Sequence, residues 1–96
     1  AVGAIQAIKE AGLAPGEDIL IVSIDAVPDI FQAMAAGEAN ATVELTPNMA
    51  GPAFDALKAY MDNGTEPAKF IQTESKLYTQ GDDPAGEYER RKDLGY

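Results

Sequence analysis

The run ILIVSI at residues 19–24 constrains the fold of this chain more than any other feature. It is short, mostly β-branched and nearly continuous in its apolar character, which is how a strand buried on both faces of a parallel sheet reads. Such a strand needs covering helices, and its flanks supply them. Upstream, Val2, Ile5 and Ile8 recur at helical spacing. Gly12 then stops the helix, because glycine accepts the left-handed conformation past a helix end, and Leu13 is expected to fold back onto Ile8. Downstream, Pro28 suits the first position of a helix, where its missing N–H is harmless. Asp29 suits the positive end of the helix dipole. Ile30, Ala33 and Met34 form the inward stripe of this second helix, and Gly37 ends it.

The segment NATVEL, residues 40–45, alternates and reads as a second strand. TPN then turns into a third helix, with Pro52 in its first turn and Asn63-Gly64 at its close. Phe54, Leu57 and Met61 share one face of that helix and are expected to be core. AKFIQT (68–73) and KLYT (76–79) are two further short strands by pattern. Residues 81–96 are polar and are expected to form a loosely held tail, with a solvated helical turn at YERRK. Helices alternating with strands imply an α/β fold with a parallel sheet and crossover helices. In such sheets ligands bind beyond the carboxyl ends of the strands. Asp25 stands at that end of the first strand.

Charge and composition narrow the chemistry. The net charge is −9, from 16 acids against 7 bases, which speaks against a nucleic-acid partner that would need a basic face. Cysteine and histidine are both absent, which excludes disulfides and thiolate chemistry and leaves zinc without its usual ligands. Catalysis would then rest on carboxylate pairs or lysines. Asp25 and Glu44 could pair only if Glu44 turned inward from its strand. Nothing calls for a cofactor, and no apolar run is long enough for a membrane span. With no initiator methionine and no helix cap at Ala1, the chain reads as starting inside a helix of a longer protein. Asp25 itself remains open at this point between a turn or helix-capping acid, a ligand-binding acid and a phosphoacceptor. The last would require an acidic metal cluster, and the nearby Asp18 and Asp29 fit turn and helix-start roles instead.

Taken in order and spacing, GAIQAIKEAG, the strand ending in Asp25, GEANATV and LYT resemble the C-terminal portion of ribose/galactose-type periplasmic sugar-binding proteins. These are the soluble receptors of ABC sugar importers, and among them the likeness is closest to galactofuranose receptors. It runs from Ala1 to about Gln80. The resemblance implies part of a two-lobed periplasmic-binding-protein type I fold, with sugar held in the cleft between α/β lobes. It assigns residues 1–45 to the C-terminal lobe and 46–73 to the N-terminal lobe after a hinge crossing. Residues 74–80 become a return strand and 81–96 a C-terminal tail, with Thr46 and Glu74 at the hinge crossings. It implies that Asp25 accepts hydrogen bonds from sugar hydroxyls. The family's second contact, commonly asparagine or glutamine, falls on Leu45, which offers only a van der Waals wall. Glu44 is a weaker candidate, retained because strand ends twist and bulge at crevices.

The implied protein is not an enzyme. Its partners are a monosaccharide and an ABC permease, and its location is periplasmic, or extracellular and lipid-anchored in a Gram-positive source. No metal, cofactor, nucleic acid or membrane insertion is implied. As a partial protein it is expected to self-associate through unpaired sheet edges and exposed apolar surface. The effector-binding domain of a LacI-type repressor is the alternative by the same resemblance of fold, and a flavodoxin-like signalling or catalytic domain is the second.

Overall fold

The computed structural model describes all 96 residues. In chain order they form α1 (Val2–Glu10), β1 (Val22–Ile24), α2 (Pro28–Ala35), β2 (Ala41–Val43), α3 (Ala50–Asn63), β3 (Leu77–Thr79) and α4 (Pro84–Arg91). Glycine punctuates the first two helices as the sequence predicts. Past α1, Gly12 takes φ +78. Its N–H donates to the Lys9 carbonyl at 2.9 Å and that of Leu13 to the Ile8 carbonyl at 3.1 Å. This is the paired-bond stop that satisfies a helix's last carbonyls. Gly37 repeats it past α2, its own N–H bonding to Met34 and that of Glu38 to Ala33.

The sheet has the order β1-β2-β3. β1 and β2 are parallel, with Ser23 opposite Thr42, and α2 is the crossover between them. β2 and β3 are antiparallel, with Thr42 opposite Tyr78, so the sheet is mixed and not parallel throughout. An antiparallel edge strand on a parallel sheet is a common arrangement. One face of this sheet carries the core. Ile21 and Tyr78 pack with Ile30, Phe31 and Met34 of α2, together with Ile5, Ala26 and Ala39. Phe31 meets Tyr78 edge to face, with ring centroids 5.0 Å apart. The inward stripe of α2 is therefore Ile30, Phe31 and Met34, and Ala33 is only partly buried. Thr42, fully buried between the outer strands, is satisfied by the Ser23 hydroxyl at 2.8 Å.

Two turns lock the start of β1. A Cβ on Gly16 would lie 2.0 Å from the Gly37 carbonyl oxygen, so only glycine allows these turns to touch. Asn40 spans the same place. Its Oδ1 accepts from the Ile21 N–H at 2.7 Å, and its Nδ2 donates to the Gly16 carbonyl at 2.9 Å.

Three expectations fail within this chain. The ILIVSI run is a strand only from Val22 to Ile24, and just one of its faces is covered, with Leu20, Val22 and Ile24 all exposed. AKFIQT forms no strand, and Phe70 is exposed. The stripe Phe54, Leu57, Met61 is not core: α3 buries no residue, and Phe54 is 68% exposed. The physical reason is shared. The molecule measures 61 × 25 × 21 Å, and the helical stripe and second sheet face are apolar surfaces with no partner in these 96 residues. Periodicity reports which face seeks burial, but not whether the partner is in the same stretch of chain.

The C-terminal segment departs in the opposite sense. Instead of a loose tail it forms α4, which packs on α2. Asp83, at φ +53, caps α4 by accepting from the Gly86 N–H at 3.1 Å. Arg90 faces solvent as expected of YERRK, but Arg91 is sunk against the Phe31 and Tyr78 rings. Its charge suggested exposure, whereas a planar guanidinium stacks readily on aromatic faces.

Candidate functional site at the carboxyl edge of the sheet

The carboxyl ends of β1 and β2 lie side by side, with Ile24 opposite Val43, and the Asp25 N–H extends the ladder to the Val43 carbonyl at 2.8 Å. There the chain turns sharply. Asp25 has φ +90 and Ala26 φ +51, two successive non-glycine residues in left-handed territory. Aspartate tolerates that region better than most residues. Alanine does not, and Ala26 is held there with its side chain fully buried. Such conformers cost about 1–3 kcal/mol each and persist only where the surroundings over-determine them. The turn sets the Asp25 carboxylate, exposed, on the carboxyl edge of a parallel strand pair.

The capping alternative for this acid fails on geometry. The residue flanking α2 is Val27, no side chain caps the helix, and Pro28 and Asp29 serve its first turn. The phosphoacceptor alternative lacks its metal site, because no group of three or more acids could hold a metal ion. Several other acids of the chain are committed to structure, while Glu17, Asp29, Asp55, Glu66, Glu74 and Asp93 are, like Asp25, unpartnered. Asp18 accepts from the Ala14 N–H, Asp82 from the Thr79 N–H, Asp83 from Gly86 and Glu44 from Arg91. The Asp25 carboxylate has no such partner in the chain and is free to accept from a ligand.

Glu44 faces α4. Its carboxylate meets the Arg91 Nη2 at 3.1 Å, with both side chains mostly buried. Asp25 and Glu44 are therefore not a carboxylate pair. Arg91 also donates to the Tyr78 hydroxyl at 2.8 Å and to Glu87 at 3.2 Å. Burial works against the charge on Glu87, but the hydrogen bonds and charges of Arg90 and Arg91 outweigh it and hold its pKa below 4.5. Burial likewise disfavours the charged Arg91, and Glu44 and Glu87 more than compensate, so its pKa lies above the ordinary arginine value. Leu45 is exposed at the end of β2 on the uncovered side. Thr46 accepts from the Asn48 N–H at 3.1 Å, and Glu74 is exposed in the irregular stretch before β3. These two residues sit on the outgoing and returning passages that carry the chain to α3 and back. The Glu44 N–H, donating to the Lys76 carbonyl at 2.8 Å, ties the passages together.

Sequence reasoning put Arg91 in a solvated turn and gave Glu87 no role, whereas Tyr78 packs in the core as its type suggests. Glu87 stands three and four residues before Arg90 and Arg91, a spacing that signals helical ion pairs. The contact between Arg91 and Glu44, 47 positions apart, has no local signal.

No protein-family model matches the chain. Over 99% of its length it is 63% identical to galactofuranose-binding protein YtfQ of Escherichia coli (strain K12), of which it covers 30%. It matches the crystal structure of a galactofuranose binding protein with a TM-score of 0.86 at 63% identity, over 99% of this chain and 32% of that one. It also matches the periplasmic binding protein component of the arabinose ABC transporter from Shewanella sp. ANA-3, solved with α- and β-L-arabinofuranose. There the TM-score is 0.85 at 58% identity, over 96% of this chain and 30% of that one. The chain thus spans about a third of the length of the proteins it matches, and its fold is a segment of theirs. The likeness to periplasmic sugar-binding proteins, and to galactofuranose receptors among them, holds in both sequence and structure. All three relatives are binding proteins.

Proposed function

We propose that this chain is a segment of a periplasmic sugar receptor that delivers a monosaccharide to an ABC importer, and that Asp25 is one of its sugar-binding groups. The observation that carries the reading is the strained Asp25-Ala26 turn, which holds an otherwise unpartnered carboxylate at the carboxyl edge of the parallel pair. Two carboxylate oxygens suit neighbouring hydroxyls, and hydrogen bonds to a charged group are worth about 1.5–3 kcal/mol each. The ligand class is a furanose, as in the names of the relatives at 63% and 58% identity. Leu45, exposed at the next strand end, supplies an apolar wall against a carbon face of the sugar. Glu44 serves the edge indirectly, through Arg91.

The protein's action is binding and release. Residues 1–45 and the return strand belong to one lobe, and 46–73 to the other. Support for this division comes from the shape of the chain, in which α3 buries nothing against the sheet. Thr46 and Glu74 lie on the passages between lobes, where a few residues absorb the bending of closure. An ABC permease is the downstream partner, and the periplasm is the location. In the natural-length protein, Asp25→Ala is expected to raise the Kd for L-arabinofuranose or galactofuranose at least tenfold, a loss of about 1.5–3 kcal/mol. Titration calorimetry showing unchanged affinity would falsify the assignment of Asp25.

A further inference from the structure

The passage from β2 to α3 is held at both of its ends by one short C-terminal stretch. Before the passage, the Glu44 carboxylate is bound by Arg91. After it, the Asn48 side-chain amide donates to the Tyr96 hydroxyl at 3.4 Å. Between Arg91 and Tyr96 the backbone makes one more turn, with the Leu94 N–H donating to the Arg91 carbonyl at 2.9 Å. Gly95, at φ +78, then redirects the last residue. Without that glycine conformation the Tyr96 ring would leave in another direction.

The two grips differ in strength. Arg91 is a fixed post, with bonds to Tyr78, Glu87 and Glu44 and its guanidinium 5.2 and 5.3 Å from the Phe31 and Tyr78 ring centroids. The Tyr96–Asn48 bond is near the long limit for a hydrogen bond and lies at the surface. A firm anchor on one flank of a bending segment and a weak bond on the other together make a latch. The weak side can open while the firm side keeps its register.

We infer that Arg91 and Tyr96 are positioning residues that set the direction in which the chain leaves the sheet at Thr46, and through it the resting angle between the lobes. The inference rests on the two-lobed receptor reading. A bond across the passage biases the sugar-free protein toward a narrow range of lobe angles, and its loss releases the wider ones. Sugar binding then has to recover the lost population, so the apparent affinity falls by the competent fraction.

The test uses the natural-length protein with spectroscopic labels on Glu10→Cys and Lys58→Cys, exposed positions on α1 and α3. Inter-label distance distributions are measured without and with L-arabinofuranose. Tyr96→Phe, Asn48→Ala and Arg91→Lys are each expected to broaden the sugar-free distribution toward longer distances. The accompanying rise in apparent Kd is about two- to fivefold. Lys92→Gln, which breaks only the surface pair with Glu89, is the control and should change neither. Tyr96→Phe removes a single surface hydroxyl, so it reports even if Arg91→Lys lowers the melting temperature. Sugar-free distributions identical in wild type and Tyr96→Phe overturn the latch. Failure of the wild-type protein to bind any furanose would instead overturn the receptor reading, leaving the sugar-free comparison to judge the latch by itself.

Discussion

Replacing Arg91 with alanine is the sharpest test of how this small fold is held together. The guanidinium donates to Glu44 at 3.1 Å, to Glu87 at 3.2 Å and to the Tyr78 hydroxyl at 2.8 Å. The side chains of the ion pairs are only 12–19% exposed. A hydrogen bond to a charged group contributes about 1.5–3 kcal/mol when well formed. Glu44 and Glu87 keep some access to water, so the lower figure applies to each. Contact with the two rings adds about 0.5–1 kcal/mol. Partial rehydration of the stranded carboxylates returns some of this, and the expected loss is about 2–4 kcal/mol. A loss of that size is a large fraction of an ordinary domain's stability, so the variant should be visibly weakened in the natural-length protein. Urea unfolding at neutral pH, followed by far-ultraviolet circular dichroism, measures the difference. A second variant separates the causes. Arg91→Met combined with Glu44→Gln and Glu87→Gln keeps the packing and removes the stranded charges, and it should recover about half of the loss. A loss below about 1 kcal/mol for Arg91→Ala would mean that the cluster behaves as a surface ion pair. Arg91 would then not be what docks α4.

The same cluster gives a pH dependence. Because the pKa of Glu87 is lower in the folded state than its ordinary 4.5, its contribution is fully present above 4.5 and disappears as the pH falls through the folded value. Acid titration of wild type against Glu87→Gln should show the variant with the shallower decline below 4.5. Gly16→Ala should cost about 2–5 kcal/mol in urea unfolding, from left-handed strain plus overpacking. Gly12→Ala, with a similar φ but open space around it, should cost only about 1–2 kcal/mol; equal losses would remove the contact with Gly37 from the explanation. The isolated 96-residue chain should self-associate at micromolar concentration through its uncovered sheet face and the α3 stripe. A monodisperse monomer in light scattering would contradict this.

What was legible in the sequence was whatever depends on neighbours along the chain. Gly12 and Gly37 end helices because their own backbone must turn left-handed there, and Pro28 opens one because its φ is already set. The β1-α2-β2 unit follows from a change in hydrophobic period between adjacent segments. The acid at the end of β1 was visible for the same reason. The strain at Asp25-Ala26 was not, since nothing about alanine advertises positive φ, and it coincides with full burial of Ala26 in the core. Arg91 was misjudged for a related reason. Charge alone predicts solvent, while its actual site is made by rings at positions 31 and 78 and a carboxylate at 44. The third helix was read with the right face but the wrong consequence, because amphipathicity is a demand for a partner and not a statement that one is present.

A chain at −9 repels itself, and each carboxylate held by an N–H or a guanidinium offsets part of that cost. Asp18, Asp82 and Asp83 lock turns, and Glu44 and Glu87 converge on one arginine. Asp25 is among the acids without such a partner, and alone among those it stands in a strained, positive-φ conformation. A residue that adds charge and strain while engaging no local partner departs from the consistency that folding favours, and such departures gather at functional sites. Glycine at position 25 would relieve the strain and remove one negative charge. Asp25→Gly should therefore leave stability unchanged or raise it by up to about 1–2 kcal/mol. If it also abolishes furanose binding in the natural-length protein, aspartate is held there for its ligand. If instead it destabilises the chain, the carboxylate has a structural partner and the free-acceptor argument fails.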